Sequence, residues 1–159
     1  MKKFLWSMMC VGLLWSCSDD DDAVVVGSLI TGTWELQSVI LKPEYREDFN
    51  GDGQASADIL EELPCYRTTI LDISETIITV NGTEAEPLVD FTGNYTGDCS
   101  APISFSQSLT YTFNGNSITV TDPEEGFSET LAVQIQGNEL RIIFNDPEDE
   151  VESEVYLKQ

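Results

Sequence analysis

The amino-acid sequence predicts an all-β chain, an antiparallel meander that either packs as two sheets or closes on itself as a barrel. Three observations carry this. Apolar and polar residues alternate in several short runs, most cleanly where Leu109, Tyr111 and Phe113 interleave with Ser108, Thr110 and Thr112. Hairpin-forming pairs, Asn114-Gly115 and Gly137-Asn138, stand between such runs. Only one stretch, Ser56 to Leu63, reads as helix: Ser56 suits a cap, Ile59, Leu60 and Leu63 share a face, and Pro64 stops it. Closure into a barrel would remove the exposed sheet edges.

The chain opens on Lys2 and Lys3, 12 residues from Phe4 to Trp15 that are almost all apolar, and the small residue Ser16. That order marks residues 1–16 as a secretory signal peptide, and the apolar run is too short to span a bilayer core of roughly 30 Å as a helix. Leu14-Trp15-Ser16-Cys17 resembles a bacterial lipobox, with Trp15 departing from the small or β-branched residue usual in that slot. Cys17 followed by Ser18, Asp19, Asp20, Asp21 and Asp22 resembles the export signal of Bacteroidetes-type lipoproteins. The resemblance implies that Cys17 is acylated and that residues 17–31 are an acidic tether. It further implies a protein held on the outer face of the outer membrane, with the bilayer as a partner through the lipid. Without the lipid, the acidic run is a solvated linker behind an ordinary cleaved signal.

Composition narrows the chemistry. Losing Lys2 and Lys3 with the signal leaves five basic residues against 29 acidic ones, a formal charge of −24. Such a charge repels nucleic acid and anionic headgroups, and favours cations or basic partners. The chain has no histidine, which excludes Ser-His-Asp and Cys-His catalysis, imidazole zinc sites and a histidine general base. Cys10 leaves with the signal and Cys17 takes lipid, so Cys65 and Cys99 remain as one expected disulfide in an oxidising compartment. Two thiolates are too few for a thiolate zinc site.

Along the mature chain, Ala23 to Thr31 suits a linker or a first β segment. Trp34 and Leu36, and less cleanly Val39 and Leu41, mark a half-buried strand that Pro43 ends. Tyr66 to Ile73 and Thr76 to Val80 read as two more strands, with Asn81-Gly82 as the turn after them. Ile118 and Val120, then Leu131, Val133 and Ile135, continue the alternation. Leu140 to Phe144 is more continuously apolar, and Val151, Ser153, Val155 and Leu157 close the sequence.

Gly32-Thr33-Trp34 on the first strand is similar to the Gly-x-Trp signature of lipocalins. That resemblance implies a roughly eight-stranded up-and-down barrel over 32–159, with Trp34 packed across its closed end and one short helix in the first long loop. It also implies a basic residue covering Trp34, for which Arg141 and Lys158 are the candidates. In a meander, connections alternate between two ends, so the two Asn-Gly-type turns share one end and the acidic loops 122–126 and 145–150 share the other. If Leu88 to Phe91 were a further strand, Cys65 and Cys99 would lie at opposite ends. A disulfide needs Cα atoms within about 7 Å, and a strand is roughly 17–20 Å long. The cysteine pair therefore favours eight strands, an acidic mouth at one end and a sealed end where the tether enters.

Asp48-Phe49-Asn50-Gly51-Asp52-Gly53-Gln54 resembles the first part of an EF-hand or dockerin calcium loop. Asp48, Asn50 and Asp52 take positions 1, 3 and 5, Gly53 the sharp turn, and Gln54 offers a carbonyl. The pattern then departs: Ile59 stands where a bidentate acid belongs, leaving Asp58 or Glu62 to turn back toward the loop. The resemblance implies a structural calcium ion. The same residues also suit an Asx-rich turn leading into a helix cap, and both readings stay open.

The functional expectation is a non-enzymatic, lipid-anchored binding module for a small neutral or cationic ligand, with Leu109, Tyr111, Phe113 and Val133 as ligand-facing candidates. The alternative is an accessory or scaffold lipoprotein with a filled barrel, touching other outer-membrane proteins through its loops. An enzyme is not expected, since no carboxylate pair has a spacing that singles it out among so many acids.

Overall fold

Alternating inward apolar and outward polar side chains wrap around a closed ring of antiparallel strands. A computed structural model describes residues 27–85 and 102–159, with the backbone alone of 88–89 and 95–96 between them. Eight strands form the ring: β1 (Gly32–Leu41), β2 (Arg67–Ile73), β3 (Ile77–Glu84), β4 (Ile103–Phe113), β5 (Ser117–Thr121), β6 (Ser128–Gln136), β7 (Glu139–Ile143) and β8 (Val151–Lys158). Each pairs antiparallel with its sequence neighbour except where β1 also pairs with β8, closing the barrel. Leu88–Val89 pairs with Tyr95–Thr96 as a separate small sheet and adds no barrel strand. The two-sheet alternative is thereby excluded and the count of eight holds.

The turns after β2, β4 and β6 gather at one end, with the start of β1 and the end of β8. The long connections after β1, β3, β5 and β7 gather at the other. The short turns have the chemistry their geometry demands. Asn114 Oδ1 accepts from the Asn116 and Ser117 amides, while Gly115 (φ 104°) and Gly137 (φ 61°) take backbone that L side chains rarely adopt.

Several expectations need correction. Asn81-Gly82 is not a turn: β3 runs on to Glu84, because both residues pair with β2 on one side and β4 on the other. Gly82 is there for space, since a Cβ would stand 2.0 Å from the Thr68 carbonyl oxygen and 2.7 Å from the Phe105 ring. The end of the expected tether is neither linker nor strand. Gly27–Ile30 forms a helical turn, α1, and Ile30 is buried in the core. The loop helix, α2, is only Ile59–Glu62, and its cap is Asp58, not Ser56, because the Asp58 carboxylate accepts from the Leu60 amide at 3.0 Å. The untidy phase of β1 has a cause: a register shift between Leu36 and Ser38 moves the buried set from Trp34 and Leu36 to Val39 and Leu41.

The sealed end is filled by Trp34, Tyr111, Val133, Leu140 and their neighbours. Trp34 is wholly buried and its Nε1 donates to the Ile30 carbonyl at 2.7 Å, which ties α1 under the barrel. Lys158 Nζ lies 5.2 Å from the Trp34 ring centroid, while Arg141 bonds Glu139 and Ser153 away from it. Of the two candidates, Lys158 is the covering base. Gly32 has a physical role in the same motif: its φ of 131° is backbone that L side chains rarely adopt, and a Cβ there would also crowd Lys158 Cε at 2.8 Å.

Candidate ligand-binding cavity

From the sealed end toward the mouth, the inward residues change character. On β2 they run Ile73, Leu71, Thr69, Arg67; on β4, Phe113, Tyr111, Leu109, Gln107; on β8, Tyr156 then Glu154. The apolar side chains stop short of the rim, and a cavity of about 310 Å³ opens there. That lies at the small end of the roughly 300–1,000 Å³ usual for ligand sites. Its walls are mainly aliphatic, from Leu71, Ile78, Val80, Leu109, Ile118 and Leu131. Tyr156 forms part of the floor. Asp122, Glu125 and Glu129 stand on the rim with Phe127, which is 55% exposed.

Of the four ligand-facing candidates, only Leu109 lines this space. Tyr111, Phe113 and Val133 pack into or against the core of the sealed half, and the Tyr111 hydroxyl donates to the Ser74 carbonyl at 2.6 Å. Burial lifts the Tyr111 phenol above its ordinary range, with Glu75 adding to it.

The polar groups of the cavity were not singled out by sequence reasoning. Arg67 Nη1 donates to Glu154 Oε1 at 2.7 Å, and the Tyr156 hydroxyl donates to Glu154 Oε2 at 2.6 Å. Glu154 is buried, and each of its carboxylate oxygens accepts from one of these donors. Burial, then the Glu154 charge, holds the Tyr156 phenol well above its usual range. The guanidinium lies over the Phe105 ring, 5.8 Å from its centroid. Nearer the rim, Gln107 Nε2 donates to Asp122 Oδ2 at 2.6 Å, while the Glu124 and Glu125 amides donate to Asp122 Oδ1. Those backbone bonds hold the Asp122 carboxyl below its ordinary range. Two buried polar atoms have no protein partner among the described residues, and they stand two residues apart on β2: Arg67 Nε and Thr69 Oγ1.

The acidic loop is drawn together by hydrogen bonds. Asp48 accepts from the amides of Gly51, Asp52 and Gly53, Asn50 from Asp52, and Asp52 from Gln54. Glu62 does turn back, accepting from the Asn50 and Ser56 amides, whereas Asp58 turns to the Val39 amide on β1. Among the described residues, no group of three or more His, Cys, Asp or Glu is clustered to hold a metal ion. Cys65 is disulfide-bonded. Cys99, Cys17, the export signal Ser18 to Asp22 and the signal peptide lie outside the described residues.

No protein-family model matches the sequence, and no curated protein matches it. Among solved structures, the wild-type fluorescent protein UnaG is 17% identical, covering 83% of this chain and 98% of that one, with a TM-score of 0.40. Two of its point variants align at TM-scores of 0.40 and 0.39, with 17% and 16% identity. For the first the alignment covers 83% of this chain and 97% of that one, for the second 81% and 95%. The likeness concerns the barrel outline alone.

Proposed function

We propose that this barrel is a non-enzymatic binding module that takes a small, largely apolar ligand, neutral or cationic, through its acidic mouth. The supporting observation is the half-filled interior: aliphatic walls enclosing about 310 Å³, with a few polar groups converging at one end. Rim carboxylates at Asp122, Glu125 and Glu129 disfavour anions. The lipobox-like Cys17 and its acidic run support a lipid anchor and a position at the cell surface. Because β1 starts at the sealed end, the mouth would then face away from the membrane.

Fluorescence titration with the neutral probe N-phenyl-1-naphthylamine tests the binding function. The expected result is a saturable one-to-one signal that Leu109→Trp or Val120→Phe abolishes with the melting transition retained. An absent signal in the parent protein favours the scaffold alternative. Palmitate labelling lost in Cys17→Ala tests the anchor; unlabelled parent protein would overturn it.

A further inference from the structure

Resting on that reading of the cavity, we infer that its ligand is an uncharged apolar molecule carrying a carbonyl-type acceptor, and that Arg67 is the residue that recognises it. Among the described residues, Arg67 is the only base lining the cavity. Of the five N–H donors on the guanidinium, one has a protein acceptor among the described residues, the Nη1 bond to Glu154. Nε is buried without a protein partner, and the neighbouring inward hydroxyl on the same strand, Thr69 Oγ1, is likewise unpaired. The unmet donors of Arg67 thus stand at a cavity whose walls are mainly aliphatic, whereas Thr69 lies outside its lining, and buried polar groups of this kind require an explanation.

The donors call for an acceptor, and the surrounding charge decides its type. Glu154 already balances Arg67, with its second oxygen held by Tyr156. A carboxylate or sulfonate ligand would add a negative charge to a site whose rim carries Asp122, Glu125 and Glu129. A cationic ammonium head has no lone pair to offer and would leave the Arg67 donors unmet. A ketone, amide or lactone oxygen meets the donors without either cost, while its hydrocarbon body covers Leu71, Val80 and Leu109. The Phe105 ring beneath the guanidinium and the Glu154 bond fix the side chain, so little rotamer freedom is lost on binding.

Two neutral fluorescent probes separate this inference from the cavity reading: 6-propionyl-2-dimethylaminonaphthalene, which carries a ketone, and 2-dimethylaminonaphthalene, which lacks it. The ketone is expected to bind at least about tenfold more tightly, the size of one charge-assisted hydrogen bond. Arg67→Met would remove that advantage and leave the second probe unchanged. Because this variant strands Glu154, the pair variant Arg67→Met with Glu154→Gln is measured beside it. It keeps an acceptor for Tyr156, and the same loss is expected. Equal binding of both probes, or an unaltered preference in the pair variant, overturns the carbonyl inference while leaving the cavity reading intact. Binding of neither probe overturns both.

Discussion

Sealed end and mouth are built from the same strands, yet their inward residues do opposite things. Along β4, Phe113 and Tyr111 fill the closed half, whereas Leu109 and Gln107 leave space; along β8, Tyr156 is followed by a buried carboxylate, Glu154. One half is a hydrophobic core with Trp34 at its base. The other is a cavity whose polar groups must satisfy each other. Closure of the barrel satisfies the backbone in both halves alike, so stability and binding are separated along the barrel axis.

The sharpest way to break the comparison is Trp34→Ala. Removing a wholly buried indole with its Ile30 and Lys158 partners should cost about 3–5 kcal/mol by denaturant melting. In the open half, Arg67→Met should cost about 2 kcal/mol. That is less than a fully buried pair would lose, because the arginine side chain is 29% exposed and water screens it. Removing both charges with Arg67→Met and Glu154→Gln, which keeps an acceptor for Tyr156, should come back close to the parent. A double variant as unstable as the single would show that the mouth is a packed core after all.

The pH limbs differ between groups in the same way. Tyr156 holds its proton more tightly folded than unfolded, so its contribution is full below the ordinary phenol value of 10.0 and is lost as pH rises beyond it. Asp122 is shifted the other way: its contribution is present above the ordinary carboxyl value of 3.8 and is lost as pH falls below that. Melting of Tyr156→Phe should lose much of the alkaline limb, and that of Asp122→Ala part of the acid limb.

The smallest effect belongs to the acidic loop. Asp48→Ala, which frees three backbone amides at the surface, should cost about 1 kcal/mol. The hydrogen-bonded turn alone predicts no heat on titration with calcium. A saturable heat that disappears in Asp52→Ala would favour the calcium reading of the same loop.

How much of this was legible in the sequence follows the same division. The sealed end announces itself locally: Asn114-Gly115, Gly137-Asn138 and Gly32-Thr33-Trp34 each carry their geometry within a few residues, and strand parity follows from them. The mouth does not. Arg67 and Glu154 are 87 residues apart and meet only because β1 bridges β2 and β8. Polar residues at inward positions also disguise the alternation. Val151, Ser153, Val155 and Leu157 look like the inner face of β8, but Glu154 and Tyr156 are the ones lining the cavity. Asn81-Gly82 misleads for a related reason, as its glycine answers a close approach of the Thr68 carbonyl and the Phe105 ring and not a turn.

Methyl NMR during titration with N-phenyl-1-naphthylamine tests the separation of the two halves most directly. Saturable shifts are expected at Val80, Leu109, Val120 and Leu131, with Val133 and Leu140 unmoved. Shifts confined to the exposed Ile70, Ile77 and Ile103, or none at all, would contradict it.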